Sequence, residues 1–488
     1  MPFATTGYAL GRILLVFTAF FVVPLLFAIG YGEQKAALAF FVAAILTAFA
    51  GGIMVFTYHG VAAAPSKKEM VALPFVGLLA TSFFAGIPLS LMGATPSFAD
   101  SLFEALSGLT TTGATILDDV EAAERSVLVW RATLQWFGGL ATLAFAIAIA
   151  PALNIGGSSL LNVALPHGEA GSLTDRLRGV AAPLLPIYVI LTLVIMVTYF
   201  MFGMPLFDAF CHALSTISSG GFSTRNDSLG GFGLPMVEIL SIPFMLLAAT
   251  NFTYHWAFLR GRSKIYLKDP ELQLFAVLFL LGALVIFTGD LAQSRITPGG
   301  HEPLQSLHIA LFSTASALST TGFVGMGERE LTLLGTLTLC TLLFVGGGMG
   351  STAAGLKMFR LLMLLRHAMI ELARLAHPSN ANRLKYQNKM VTDNVLQGLW
   401  MFYFLFIGAL ALGGVGFAAT GRDLDSAFYL TLTAISNAGP MIQVLDRSFE
   451  GFAAMDGAAK MLYAVGMILG RLEIITILAL FSPGLWRR

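Results

Sequence analysis

Charge is scarce in this sequence. Asp, Glu, Lys and Arg together make up 11% of the 488 residues, against roughly 25% in a soluble domain, while 56% are hydrophobic. That leaves too little polar surface to cover a globule in water, which excludes a soluble fold. Cysteine is scarcer still. Cys211 and Cys340 lie far apart inside apolar segments, so there is no disulfide framework and no metal-ligand spacing. The eight histidines are scattered, and neither a His/Cys/carboxylate cluster nor a Ser/His/Asp set can be assembled from the spacing, so no enzyme chemistry is expected. A nucleotide-binding fingerprint is also missing. Gly350 and Gly355 have the spacing of a phosphate loop, but Leu356 stands where lysine must follow. Any nucleotide control must come from a partner, and nucleic acid is not expected among the partners.

Long apolar runs are abundant instead. Segments of about 20 residues, enough to cross a bilayer, occur near 10–31, 36–57, 71–93, 126–151, 180–203, 234–259, 271–290, 331–365, 394–418 and 457–481. Only Arg12 precedes the first run closely and a second span follows it directly, so it reads as a retained helix rather than a cleaved signal. Four shorter apolar runs, near 98–110, 206–218, 305–319 and 425–436, are too short to cross and read as re-entrant. The predicted fold is an all-α membrane protein. Two N-terminal helices (1–57) precede four repeats of span, re-entrant pore helix and span around a central pore: 71–151, 180–260, 270–368 with a broken second span, and 393–482.

Each short run ends in a related turn: a hydroxyl residue, a small one, Leu or Ile, another hydroxyl, two free positions, then glycine. The turns end in Thr111, Thr112 and Gly113; Ser219, Gly220 and Gly221; Thr320, Thr321 and Gly322; and Asn437, Ala438 and Gly439. Glycine permits the backbone angles that turn carbonyls inward, and four such turns round an axis can replace the water around a dehydrated cation. These twelve residues are the candidate ion filter. The partially negative C-terminal ends of four re-entrant helices would favour a cation there. The competing reading is small-residue helix packing, which four copies in one register disfavour.

Two intramembrane features stand out below the filter. The stretch holding Gly346, Gly347, Gly348, Gly350, Ser351 and Gly355 costs about 1 kcal/mol of helix stability per glycine relative to alanine, which predicts a break lining the pore. Close helix packing through Gly346 and Gly350 is the alternative. Arg471, within the last span, costs about 3 kcal/mol unless it meets water or a partner, so it faces a cavity or pairs with another repeat. With the N-terminus cytoplasmic, the inner loops carry Lys67, Lys68, Arg176, Arg178, Arg260, Arg262, Lys264, Lys268, Arg366, Arg374, Arg383, Lys385, Lys389, Arg487 and Arg488, as the positive-inside rule requires. The outer loops carry Asp118, Asp119, Glu121, Glu124, Glu328, Glu330, Asp446 and Glu450, an acidic mouth that would concentrate cations, or else ordinary solvated loops. The basic inner loops offer a docking surface for a partner or for anionic membrane lipid.

With these turns, the stretches Trp130-Arg131 and Gln135-Trp136-Phe137-Gly138-Gly139, the glycine-rich segment reaching Lys357, and Gly470-Arg471-Leu472-Glu473, the chain resembles the membrane subunit of the Trk/Ktr/HKT superfamily of potassium transporters, in its Trk-type bacterial branch. The resemblance covers essentially the whole chain. It implies potassium-preferring uptake across the cytoplasmic (inner) membrane, K+ as the transported ion without an organic cofactor, a homodimer of pores, and TrkA-like nucleotide-binding regulatory subunits on the cytoplasmic side. It also implies that the glycine-rich loop gates conduction and that Arg471 projects into the pore. Sodium-preferring plant members place serine where this chain has Gly113, which favours potassium here. The chain departs from its relatives at Met441 and Ala354, where they more often have glycine. Sodium permeation, or symport coupled to protons or sodium, is the alternative on the same fold.

Overall fold

The four short apolar runs fold into helices that each lie between two longer ones, and this arrangement recurs along the chain. The computed structural model describes residues 4–60, 66–148, 173–262, 264–294, 301–328, 331–377, 383–386 and 389–481. Glu330, Arg487, Arg488 and the far ends of the spans expected to reach 151 and 482 lie outside them.

The N-terminal pair is α1 (Ala4–Thr18) running through a 3-10 turn into α2 (Val22–Tyr31), then α3 (Gln34–Thr57). Repeat 1 is α4 (Lys67–Met92), α5 (Phe98–Leu109) and α6 (Arg125–Ala148); repeat 2 is α7 (Leu173–Met201), α8 (Leu206–Ile217), α9 (Pro235–Ala248) and α10 (Phe252–Leu259). After α11 (Ile265–Lys268), repeat 3 is α12 (Pro270–Ser294), α13 (Pro303–Leu318), α14 (Leu333–Val345) and α15 (Met358–Ala376). A two-stranded ribbon, β1 (Lys385–Tyr386) against β2 (Lys389–Met390), precedes repeat 4: α16 (Asp393–Ala419), α17 (Leu424–Ile435), α18 (Ile442–Leu445), α19 (Gly457–Arg471) and α20 (Ile474–Phe481). Among the described residues six helices are long and apolar enough to cross a membrane, and α9 with α10 makes a seventh, bent by 95°. Phe49, Phe56, Leu26 and Phe404 stay exposed on α2, α3 and α16, as expected of surfaces facing hydrocarbon.

Local chemistry sets the helix starts. Ser66 and Glu69 form a capping box at α4, and Ser97, Thr332 and Asp456 accept backbone N–H bonds at the starts of α5, α14 and α19. The short helices α5, α8 and α17 are 12 residues long and α13 is 16, so three of them span roughly 18 Å at 1.5 Å per residue, too little for a bilayer. Contacts between repeats run in one direction and close: α6 packs on α8, α9 on α13, α14 on α17, and α19 returns to α5. The four repeats therefore enclose a common axis.

Two breaks go beyond the expected one. The span expected at 234–259 bends between α9 and α10, where Asn251 caps the second segment by accepting Thr253 N–H at 3.0 Å. The last span, expected to run unbroken across 457–481, stops at Arg471 and restarts at Ile474, with Glu473 between at φ 62°. The break in repeat 3 lies between Val345 and Met358, across the glycine-rich stretch.

Candidate functional site

All four short helices end in the same hydrogen-bonded turn. The N–H groups of Thr112, Gly220, Thr321 and Ala438 reach back five residues to the carbonyls of Ser107, Ser215, Ser316 and Thr433 at 2.9–3.0 Å. Those of Thr111, Ser219, Thr320 and Asn437 reach back three. This is the Schellman closure, which needs a left-handed residue just past the helix. Glycine usually fills that place, yet here it holds Thr111, Ser219, Thr320 and Asn437, at φ 54°, 53°, 53° and 49°. Left-handed Thr is rare, so these positions are held by their surroundings. Two residues on, Gly113, Gly221 and Gly322 are also left-handed, at φ 79°, 78° and 80°. Gly439 differs from the sequence expectation: it opens a 3-10 turn with Pro440 and is not left-handed.

The glycines are needed for a second reason, which joins the four turns. A methyl group on Gly113 would lie 2.3 Å from Gly220 O, and one on Gly221 2.3 Å from Thr321 O. On Gly322 it would meet Pro440 Cδ at 3.2 Å, with Ala438 next at 3.4 Å, and on Gly439 it would lie 2.5 Å from Ala114 N. Turn 1 thus abuts turn 2, turn 2 abuts turn 3, turn 3 abuts turn 4, and turn 4 abuts turn 1. The closure carries a hydrogen bond, Gly439 N–H to Thr112 O at 2.6 Å. Gly220 O also accepts from Gln135 Nε2 at 2.6 Å, and Gln135 Oε1 takes Phe222 N–H at 3.3 Å.

Against this ring packs the loop between α14 and α15, folded back on itself. Leu356 and Lys357 N–H bond to Phe344 O and Val345 O at 3.0 Å, and a methyl on Gly346 would lie 2.1 Å from Ala354 O. The bend in repeat 2 receives the loop: Gly348 N–H donates to Ala249 O (2.8 Å), Thr352 N–H to Ala248 O (3.2 Å), and Phe252 N–H to Gly350 O (3.0 Å). Gly347 and Ser351 lie in the same buried stretch. The left-handed residues of the ring meet the loop directly. Ser219 Oγ pairs with Thr352 Oγ1 at 2.8 Å, and Thr320 Oγ1 accepts Ala354 N–H at 2.8 Å.

Arg471 is 5% exposed and makes no ion pair among the described residues. Its Nη1 donates to Thr352 O at 2.8 Å and Nη2 to Gly138 O at 3.4 Å, while Nε has no partner. It also borders a largely apolar cavity of about 470 Å³ walled chiefly by α1, α4 and α6, with Ile13, Leu73, Leu109, Phe137 and Gly138 among the lining residues. Glu473, two residues on, turns the other way and pairs with the buried Arg360 at 2.7 Å, whose guanidinium covers the Phe402 ring at 3.7 Å. Past turn 1, Arg131 pairs with Glu104 at 2.7 Å, both buried, and Glu104 also accepts Ile116 N–H at 2.7 Å, fixing the chain as it leaves that turn.

The outer carboxylates divide. Glu121 pairs with Arg225 at 2.8 Å on the surface, and the hydrogen bond from Asn226 holds the exposed Asp119 carboxyl below its ordinary pKa. Burial, with Glu33 beside it, pushes the Glu124 carboxyl up. Glu328 is 1% exposed and accepts Gly325 N–H at 2.9 Å, and Asp446 is buried and accepts Ser448 N–H at 3.0 Å. These two brace turns rather than face an outer mouth. Sequence reasoning passed over Gln135, Thr352, Arg360 and Glu473 as site residues, because their partners lie between 85 and 133 positions away.

Four pseudo-equivalent repeats, each holding a short helix and a closing turn on a shared axis, define a multi-span helical membrane protein of the transport class. The model of the TrkH family, described as a cation transport protein, matches residues 39–487. The chain belongs to this family. It is 33% identical over 489 residues to the Trk system potassium uptake protein TrkH of Halomonas elongata, covering 98% of both chains. It is 32% identical to that of Escherichia coli K12 over the whole of both. The crystal structure of the potassium transporter TrkH from Vibrio parahaemolyticus superposes with a TM-score of 0.89 at 31% identity, with full coverage of both chains.

Proposed function

We propose that this chain takes up potassium across the cytoplasmic membrane, with its N-terminus inside, through the ring of four turns. The observation that carries the reading is the closed order of contacts at Gly113, Gly221, Gly322 and Gly439, which brings four helix C-termini and their following backbone to one axis. Partial negative charge and carbonyl oxygens gathered there suit a dehydrated monovalent cation. A carbonyl oxygen has two lone pairs, so the bonds at Thr112 O and Gly220 O leave each with acceptor capacity.

The loop between α14 and α15 acts as the gate, lying across the axis beneath the ring. Arg471 is a fixed positive charge on the same level, raising the barrier for a cation leaving the ring. The chain does no enzyme chemistry. It works as a homodimer of pores, with lipid around it and nucleotide-binding regulatory subunits on the basic cytoplasmic face. Names of the relatives support the potassium assignment.

Isotope flux in proteoliposomes tests this. Potassium and rubidium should exchange faster than sodium or lithium in competition, without an imposed pH or sodium gradient. Equal sodium flux overturns the selectivity reading, and flux that appears only with a gradient selects coupled symport on the same fold.

A further inference from the structure

The gate loop is held from below by a chain of side chains that begins in the ribbon after α15. Asp269 precedes Pro270, the first residue of α12, and its Oδ1 accepts the N–H groups of Glu271 (2.9 Å) and Leu272 (3.2 Å). That is N-cap chemistry followed by proline at the first helical position. The cap fixes the direction of the first turn, and Glu271 uses it: its Oε1 accepts Met349 N–H, inside the loop, at 2.8 Å. Both carboxylates are buried, at 3% and 2% exposure. A methyl group on Gly348 would lie 3.2 Å from the same Glu271 oxygen, so the loop and the carboxylate are in close contact.

The other oxygen of Asp269 faces away from the loop. Oδ2 accepts from Tyr254 on α10 at 3.0 Å and from Tyr386 on the ribbon at 3.4 Å. Tyr386 is 1% exposed, and its ring meets Phe359, one residue into α15, edge to face at 5.0 Å. Met349, Phe359, Leu384 and Tyr386 belong to one apolar cluster. The ribbon therefore touches the loop by two routes, one polar through Asp269 and Glu271, one apolar through Phe359 and Met349. Arg383 and Lys385 beside it are exposed.

We propose that Asp269 and Glu271 are positioning residues of the gate, and that Tyr386 makes the ribbon the handle through which force on the cytoplasmic face reaches the loop. The inference rests on the gate reading above. The carboxylate tie keeps the loop in its blocking place, and displacing the ribbon loosens it.

The test uses the full-length protein in proteoliposomes. Glu271→Gln keeps an acceptor oxygen for Met349 N–H and should leave potassium flux near the parent value. Glu271→Leu has similar shape but no acceptor and should raise flux on the order of tenfold, with the potassium-to-sodium ratio unchanged. Tyr386→Phe retains the ring against Phe359 and should raise flux about two- to fivefold, less than Tyr386→Ala. Because the Tyr386 hydroxyl acts through Asp269 and Glu271, Glu271→Leu combined with Tyr386→Phe should give little more than the larger single effect; a multiplicative effect overturns the chain. A second readout is thiol labelling of Met349→Cys, faster when Tyr386→Ala is added. Unchanged labelling and unchanged flux in Tyr386→Ala overturn the inference even where Glu271→Leu fails to fold. A variant shortened within 346–355 serves as the reference. If shortening raises flux and the positioning variants do not, this inference fails while the gate stands; if shortening leaves flux unchanged, the gate reading itself fails.

Discussion

Alanine at each of the four ring glycines should be ranked by two separable costs. A left-handed backbone costs a non-glycine residue about 1–2 kcal/mol. Overpacking against neighbouring backbone adds about 1–3 kcal/mol. Gly113 and Gly221 carry both, being at φ 79° and 78° with an added methyl 2.3 Å from a carbonyl oxygen of the next turn. Restoring an ordinary contact of about 3.5 Å there means moving that turn by on the order of 1 Å. Gly439 carries only the packing cost, its methyl falling 2.5 Å from Ala114 N, and Gly322 mainly the backbone cost, its nearest neighbour being Pro440 Cδ at 3.2 Å. Gly113→Ala and Gly221→Ala should therefore lose about 2–5 kcal/mol and Gly322→Ala about 1–2 kcal/mol, with Gly439→Ala at about 1–3 kcal/mol. Thermal unfolding in detergent and rubidium flux per folded protein measure both effects. Flux should fall at least tenfold in the first two variants, since the displaced carbonyl belongs to the ring. Four equal losses, or Gly322→Ala the worst, would refute the ordered ring.

Gly113→Ser should raise relative sodium permeation in competition flux, and an unchanged ratio would remove Gly113 from the filter. Arg471→Ala should speed flux: at an effective dielectric of 20 a unit charge within about 10 Å of the cation is worth on the order of 2 kcal/mol, which is on the order of 30-fold. Arg471→Lys, keeping the charge on a more flexible stem, should change flux less, and a stable alanine variant with no faster flux would reject the pore role. Shortening the loop within 346–355 should raise potassium flux at constant selectivity, whereas lost flux in well-folded protein would favour a packing role. Glu104→Ala should cost about 3–5 kcal/mol in thermal unfolding, because it takes the carboxylate from buried Arg131; a shift near zero would mean the pair is neutral to the fold.

What could be read from the chain was whatever a local pattern enforces. The short helices announced themselves by length, the turns by their repeated hydroxyl and glycine spacing, and the break in repeat 3 by its density of glycine. The bend between α9 and α10 carries no such density; only Thr250 and Asn251 mark it, and what makes it tolerable is Ala249 O accepting from Gly348, 99 residues on. The left-handed Thr111 and Thr320 run against the preference of a β-branched residue, so propensity pointed away from them. Glu473 looked like one more position on a continuous helix, and the stop at Arg471 turned it toward Arg360 instead. Gly439 was grouped with its three counterparts by register, but the Pro440 that follows drew it into a 3-10 turn.

The loop beneath the ring meets a different residue on each side: Ser219 from repeat 2, Thr320 from repeat 3 and Arg471 from repeat 4. Such an arrangement is closed to four identical subunits and open to repeats fused in one polypeptide. Four identical subunits would bring four copies of the loop to a space that holds one, and none could find three unlike neighbours. Tandem duplication within a gene frees each quarter to diverge, so that a single quarter supplies the loop while its own turn and two other quarters hold it. The stoichiometry of one loop per ring of four turns is then written into the covalent chain rather than left to assembly.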